Sequence, residues 1–166
     1  MNRLALGFIG ILSLVGCNSR NTSKEANGAN ALNYVYQKNL QDSTLATGWY
    51  YIENKNNGFG RQLEKTEEIY FVNPRPIVIA ANFKEITLEK NKWDEPFLLI
   101  PLDKTGTQAW AEATSKAAGS QLGLIVNNRL LYAPHINSQV TGGATVLNSA
   151  DYTTEEYQEI KKEIEK

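Results

Sequence analysis

The sulfur of Cys17 is the strongest nucleophile that the 166-residue sequence offers, and it is the only cysteine. A lone cysteine excludes an intramolecular disulfide, whereas a thiolate readily accepts an acyl or alkyl group. The residues before it are Leu14, Val15 and Gly16. Because Gly16 is small, it allows the chain to lie extended in a peptidase site. This spacing therefore suits cleavage before Cys17 combined with modification of its sulfur.

The segment that precedes Cys17 has the features of a secretory signal. Arg3 makes the start basic, and residues 4–15 are apolar apart from two glycines and one serine. This apolar run is shorter than the roughly 20 residues that a membrane-spanning helix needs. Two interpretations remain open from these residues, a lipoprotein signal and an ordinary secretory signal followed by a chance cysteine.

Leu14-Val15-Gly16-Cys17 resembles the lipobox of bacterial lipoproteins. The resemblance implies cleavage between Gly16 and Cys17, a diacylglyceryl group on the thiol, and often a further acyl chain such as palmitate on the freed amine. Each buried CH₂ contributes about 0.8 kcal/mol, so two or three chains anchor a protein where one is marginal. We expect a signal peptide over residues 1–16 and a lipid attached at Cys17.

Residues 18–31 are rich in Asn, Ser and Gly and predict a flexible tether, because they bury too little apolar surface to offset chain entropy. Residues 32–40 fit either a short amphipathic helix or a loosely docked arm. We therefore assign residues 17–46 to the lipidated cysteine and its tether. Asn18 is not Asp and no acidic run follows, which favours an anchor facing the periplasm; the cell exterior is the alternative.

Residues 47–166 have the length and composition of one globular domain. Aromatic, β-branched and apolar runs predict its first strands, and the turn-rich residues 54–60 predict a loop. The strands are expected at residues 48–52, 68–72, 77–80, 86–89 and 97–102. Asn73-Pro74 is expected to end the second of them.

The second half of the domain carries two helix patterns around a hairpin. Asp103 or Thr105 can cap a helix that ends at Gly119, and Thr153 with Glu156 forms a capping box for a final helix. Asn127-Asn128 favours a type I′ turn between strands at 121–126 and 129–133. This order predicts an α+β fold, a mostly antiparallel sheet with two helices packed on one side.

From Leu98 onward the sequence resembles the head subdomain of the first periplasmic domain of SecD, in the SecDF family. The motif residues are those of a Leu-Asp-x-x-Gly helix start, a helix-ending glycine, a hairpin, an Ala-Pro segment and a Gly-Gly bend: Asp103, Gly106, Gly119, Asn127, Asn128, Ala133, Pro134, Gly142 and Gly143. The resemblance implies the fold, an extracytoplasmic setting, and exported polypeptide or Sec translocon components as partners. SecD continues into transmembrane helices, whereas this chain reaches Lys166 without such a span, and Asn-Asn replaces the family's usual Asp-Gly.

Few other residues have the types and spacing of a catalytic or metal site. His135 is the only histidine and has no second His or Cys with which to hold a metal. The carboxylate pairs Asp94-Glu95 and Glu155-Glu156 are typical of a solvated turn and a helix start. The aromatic run of residues 49–51 fits either a peptide or glycan platform, or a strand with one core face and one exposed face. We expect no enzyme activity and no cofactor.

Three functions are compatible with these observations. The first is a non-enzymatic binding module of the cell envelope that acts on exported polypeptide or on an envelope partner. The second is an envelope enzyme, and the third is a structural or assembly lipoprotein without a ligand. The net charge of −1 and the absence of a basic patch exclude nucleic acid as a partner.

Replacement of the proposed lipid-bearing cysteine tests the anchor. We expect Cys17→Ser to release the protein from the membrane fraction or to leave its signal uncut, because serine carries no thiol for the diacylglyceryl group. Fractionation and mass spectrometry of the N-terminus measure both. Normal maturation with unchanged membrane retention would refute the prediction.

Overall fold

The computed structural model describes residues 22–53 and 57–166, so the signal region and Cys17 lie outside the described residues. The helices are α1 (Thr22–Asp42), α2 (Lys104–Lys116) and α3 (Thr154–Ile164). The strands are β1 (Gly48–Glu53), β2 (Phe59–Gln62), β3 (Ile69–Ile79), β4 (Thr87–Lys90), β5 (Pro96–Pro101), β6 (Leu122–Val126), β7 (Arg129–Tyr132) and β8 (Ala144–Leu147). Within the described ranges, no helix combines the length and apolarity that a membrane span requires.

The strands form two antiparallel sheets, and the expected α+β class is confirmed. The five-stranded sheet, called sheet I below, has the order β2-β3-β1-β6-β7. The three-stranded sheet, called sheet II, has the order β4-β5-β8. The type I′ turn at Asn127-Asn128 is also confirmed, since both residues have positive φ, 48° and 66°.

Strand β3 runs through Asn73-Pro74, so the expected break at this dipeptide was wrong. The register with β1 shifts on both sides of the Tyr50–Pro76 pair, and Pro74 lies between Val72 and Pro76, in the stretch without a register partner. A bulge leaves residues outside the ladder, where the missing N–H of proline costs no hydrogen bond. The side chain of Asn73 accepts a hydrogen bond from the N–H of Arg75 at 2.8 Å and so stabilises the irregular backbone.

The loop expected at residues 54–60 ends earlier than predicted, because β2 begins at Phe59. Just after β2, Leu63 forms a parallel bridge with Leu130 of β7, and the N–H of Glu64 donates to the Leu130 oxygen at 2.8 Å. The two edge strands of sheet I therefore meet, and the sheet curls around a small apolar interior. Its buried members are Leu45, Tyr50, Val72, Ile125 and Leu130.

Helix α1 begins at Thr22, so the flexible tether expected at residues 18–31 was wrong from Thr22 onward. The helix that was one alternative for residues 32–40 lies within α1. The helix packs along β3. Asn39 is 2% exposed; its amide donates to the Pro74 oxygen at 2.9 Å, and its oxygen accepts from the N–H of Ala46 at 3.1 Å. The guanidinium of Arg75 lies 4.3 Å from the ring centroid of Tyr36. Tertiary contacts of this kind stabilise a helix whose composition alone does not.

The main core lies between sheet I, sheet II and the two C-terminal helices. Trp49 of β1 packs against Trp110 of α2 with ring centroids 4.8 Å apart. Helix α3 contributes Tyr157, Ile160 and Ile164, all buried, and contacts β4 and β5. The core side of sheet II is therefore covered by α3.

Asn39 is predicted to hold α1 on the domain. Asn39→Ala leaves the Pro74 oxygen and the Ala46 N–H without their partner, so we expect a loss of about 2–3 kcal/mol in the free energy of unfolding. Urea denaturation measures it. Asn33→Ala, on the exposed side of the same helix, is the matched control and should change the value by less than about 0.5 kcal/mol. Equal effects of the two substitutions would contradict the assignment.

Candidate functional site

Asp103 and Gly106 of the Leu-Asp-x-x-Gly motif form the start of α2. The Asp103 carboxylate accepts a hydrogen bond from the Gly106 N–H at 2.6 Å, which is an N-cap. A Cβ on Gly106 would lie 3.0 Å from the Cβ of Asn82, so glycine permits the close approach of α2 to the short 3₁₀ turn Ala80–Asn82. The N–H of Asp103 donates to the Asn82 oxygen at 2.8 Å. Both motif residues therefore position α2, and Asp103 also lines a cavity between α1 and the start of α2.

Gly119 and the Ala-Pro segment join α2 to the hairpin. Gly119 has φ +82°, a left-handed conformation that suits glycine, and its N–H donates to the Ile136 oxygen at 2.8 Å. The oxygens of Ala133 and Pro134 accept from the Gln121 side chain and the Leu122 N–H, at 2.8 and 3.3 Å. These bonds extend the pairing beyond β6 and β7.

Asn128 has a function in addition to its turn conformation. Its side-chain oxygen accepts from the N–H of Leu45 at 2.9 Å and from the guanidinium of Arg61 at 2.6 Å. Asn127 donates from its amide to Glu163 at 3.3 Å, a longer contact at the surface. The side chain of Asn128 therefore joins the hairpin to the segment before β1, a contact that glycine at this position cannot make.

Gly142 and Gly143 direct the chain into β8. Gly143 has φ +71°, and its oxygen accepts from the N–H of Leu102 at 2.8 Å. Strand β8 then pairs with β5, with Ala144 opposite Pro101 and Leu147 opposite Leu98. The bend thus places β8 at one edge of sheet II.

The residues considered for chemistry do not converge. His135 is exposed, and Asp94 lies in an exposed turn where Lys90 pairs with it. Glu156 accepts from Lys65, whose ammonium holds the pKa of this carboxyl below its usual value, and from the Thr153 N–H in the capping box. Within residues 22–53 and 57–166, no three His, Cys, Asp or Glu side chains are close enough to hold a metal.

The aromatic platform proposed for residues 49–51 was wrong, and so was an exposed face of that strand at Trp49 and Tyr50. Trp49 lies in the main core and Tyr50 lies in the interior of sheet I, both 0% exposed. Burial raises the pKa of Tyr50 to about 12, and its hydroxyl donates to the Ala46 oxygen at 2.8 Å. At Trp49 and Tyr50, strand β1 therefore has the main core on one face and the interior of sheet I on the other, so both faces are covered.

One surface cavity, of about 210 Å³, lies beside α3 and is lined mainly by carboxylates. Arg129 pairs with Glu64 at 2.7 Å and with Glu163 at 2.6 Å, and Lys65 pairs with Glu156 at 2.7 Å. These ion pairs join α3 to the hairpin and to the turn after β2. A second cavity, of about 270 Å³, lies between α1 and the start of α2.

The outer face of sheet II is the clearest candidate for a binding surface. Leu98, Ile100, Thr145 and Leu147 point towards the core and are buried. The alternate residues point to the other side, and all are half-buried or exposed: Phe97, Leu99, Pro101, Ala144 and Val146. Val146 is 37% exposed and lies opposite Leu99. We call these five side chains of β5 and β8 the outer face of sheet II; on β4, Thr87 and Glu89 lie opposite Leu99 and Phe97 and border it with polar groups.

The sequence contained a signal for the strands of this surface but not for the surface itself. The run from Phe97 to Ile100 is apolar at every position, so it lacks the alternation that would separate a core face from an open one. Strand β8 is also distant in sequence from its neighbour β5, and the pairing cannot be read from local pattern. The outer face is defined only once the pairing and α3 are known.

The fold and the motif residues together define a head subdomain of the SecDF type. Residues 55–164 match the family model described as "SecDF, P1 head subdomain", and the chain belongs to this family. It is 24% identical over 99 residues to the protein translocase subunit SecD of Treponema pallidum (strain Nichols), covering 60% of this chain and 17% of that protein. It is 23% identical over 94 residues to SecD of Rickettsia prowazekii (strain Madrid E), and the match covers 56% of this chain and 18% of that protein.

Two solved structures share the fold. One is SecDF in a super-membrane-facing form, with a TM-score of 0.60 and 15% identity, over 86% of this chain and 20% of that chain. The other is a membrane component SecDF that enhances protein export, with a TM-score of 0.58 and 17% identity. This match covers 92% of this chain and 71% of that chain. The chain spans less than a fifth of the length of the SecD relatives that it matches.

The bonds of Asn128 predict an unusual response to glycine. Glycine adopts positive φ without strain, yet Asn128→Gly removes the acceptor for Leu45 and Arg61, so we expect a loss of about 1–2 kcal/mol in the free energy of unfolding. Asn127→Gly is the matched control and should be close to neutral. Thermal or urea unfolding compares them, and a neutral or stabilising Asn128→Gly would contradict the proposed bonds.

Proposed function

We propose that this chain is a non-enzymatic binding module of the cell envelope that contacts exported polypeptides through the outer face of sheet II. The observation that supports the proposal is a partly exposed apolar group on one sheet face, formed by Phe97, Leu99 and Val146, in a domain of the SecDF P1 head family. Contact with a Sec translocon component is the alternative partner within the same role. The lipid anchor on Cys17 belongs to the proposal as the means of holding the module at a membrane.

The chemistry of the outer face suits a polypeptide that has not folded. Phe97, Leu99 and Val146 form an adjacent apolar group, and burial of apolar surface contributes about 25 cal/mol per Å². Unfolded chains expose the apolar side chains that a folded protein hides. A surface this small gives weak binding, which suits repeated contact and release along a moving chain.

The short length of chain between Cys17 and α1 restricts where the module would lie. Four residues, 18–21, separate Cys17 from Thr22, so the two Cα atoms are five steps apart and, at about 3.5 Å per step, lie at most about 18 Å from each other. Helix α1 then rises about 1.5 Å per residue and packs on β3. A lipid on Cys17 would therefore hold the domain close to the membrane surface.

Substitution of Val146 tests binding at the outer face. Val146→Asp places a charge beside Leu99, and we expect it to weaken binding of a reduced, carboxymethylated unfolded protein about tenfold, because the charge must lose water on contact. Ile69→Asp is the matched control: Ile69 is 65% exposed but lies on sheet I, and its replacement should leave binding unchanged.

Fluorescence anisotropy of the labelled unfolded protein measures both affinities, and circular dichroism establishes that both variants fold. Equal affinities of Val146→Asp and the unsubstituted chain would show that the outer face does not bind the unfolded protein. A loss that is equal in Val146→Asp and Ile69→Asp would show that exposed apolar residues act without regard to position, which also contradicts the proposal.

A further inference from the structure

We propose that the bound polypeptide joins sheet II as a fourth, antiparallel strand along β8. This inference rests on the proposed function and specifies how the polypeptide is held. Strand addition uses the backbone of the ligand for affinity and alternate side chains for selectivity, so one edge can accept many sequences. A module that contacts different exported chains needs this tolerance.

The backbone groups of Ala144 and Val146 point away from β5. In an antiparallel pair, opposed residues alternate between those that exchange hydrogen bonds and those whose N–H and C=O groups point outward. The Leu102 N–H donates to the Gly143 oxygen at 2.8 Å, so Leu102 and Gly143 form a hydrogen-bonded pair. Pro101–Ala144 and Leu99–Val146, one and three positions further along, are then pairs whose N–H and C=O groups point outward. Ala144 and Val146 are therefore the outward members of β8, and no other strand of the described chain pairs with this edge.

The two edges of sheet II differ in their protection. Natural edge strands are blunted by charged residues, proline or bulges. Strand β4 carries Glu89 and Lys90, and Lys90 also pairs with Asp94 in the adjoining turn. Strand β8 consists of Ala-Thr-Val-Leu, pairs with β5 in continuous register, and has neither a charge nor a proline. Of these two edges, β8 is the one that lacks a barrier to pairing.

The geometry also predicts which side chains of the bound polypeptide contact the outer face of sheet II. Opposed residues of an antiparallel pair place their side chains on the same face of the sheet. The ligand residues that bond to Ala144 and Val146 therefore project over the outer face, beside Val146 and Leu99. A preferred segment has apolar residues at every second position, and these residues supply the N–H groups that β8 accepts.

Selective N-methylation of a peptide tests this arrangement. The probe is a peptide of alternating Val and Ser with a Lys at each end, added to the purified full chain. Methylation of the Val nitrogens removes the donors for β8, and we expect it to weaken binding at least about tenfold. Methylation of the Ser nitrogens affects the far side of the added strand and should leave the affinity within about twofold.

Proline substitutions test the same edge from the protein. Val146→Pro removes an outward N–H without removing a bond to β5 and should weaken binding of the unmethylated peptide about tenfold. Lys90→Pro, the matched substitution on the edge of β4, should have no effect. The peptide comparison does not depend on whether either variant folds.

The outcomes separate the two proposals. Equal binding of the parent and both methylated peptides would overturn strand addition and leave the outer face as a side-chain surface. Equal losses for both methylated peptides would also overturn the antiparallel arrangement. Failure of the parent peptide and the unfolded protein to bind would refute the proposed function itself. Sedimentation showing a dimer that Val146→Pro dissociates would assign the edge to a second copy of this chain and overturn the inference.

Discussion

Helix α3 packs on one face of sheet II, and this one-sided burial determines what the other face can do. Tyr157 and Ile160 pack towards the buried residues of β5, so Leu98 and Ile100 belong to the core. A strand presents alternate side chains to opposite faces. Phe97 and Leu99 must then project away from the core, and their apolar character is not needed for the packing of α3. An apolar face without a packing role is a candidate for contact with another molecule.

The motif residues of the family contribute to this surface by holding the elements beneath it. Asp103 begins α2 immediately after β5, and Gly143 directs β8 to the side of β5. At the far end of β8, the Tyr157 hydroxyl donates to the Ser149 oxygen at 2.8 Å and accepts from the Ser149 N–H at 2.7 Å. These contacts position β8 at both ends. The strands that bear this partly exposed apolar group therefore stay in register.

Local sequence signals predicted the elements that are stabilised by contacts between residues close together in the sequence. The capping box at Thr153 and the turn at Asn127-Asn128 depend on residues within a few positions, and both form as expected. The continuity of β3 and the helix before β1 depend on distant partners. The Asn39 side chain bonds to Pro74 across 35 positions, and no local pattern contains this information. The candidate surface belongs to the second group, because it is defined by the β5–β8 pairing and by α3.

Photocrosslinking in intact cells tests most directly whether the outer face of sheet II contacts exported polypeptides. A photoreactive amino acid is placed at Val146 in one strain and at Lys162, an exposed residue of α3, in another. If the outer face contacts exported polypeptides, position 146 crosslinks to many different exported chains during their export, and position 162 crosslinks to few. Equal yields from the two positions, or crosslinks from 146 to one folded envelope protein alone, would contradict this contact.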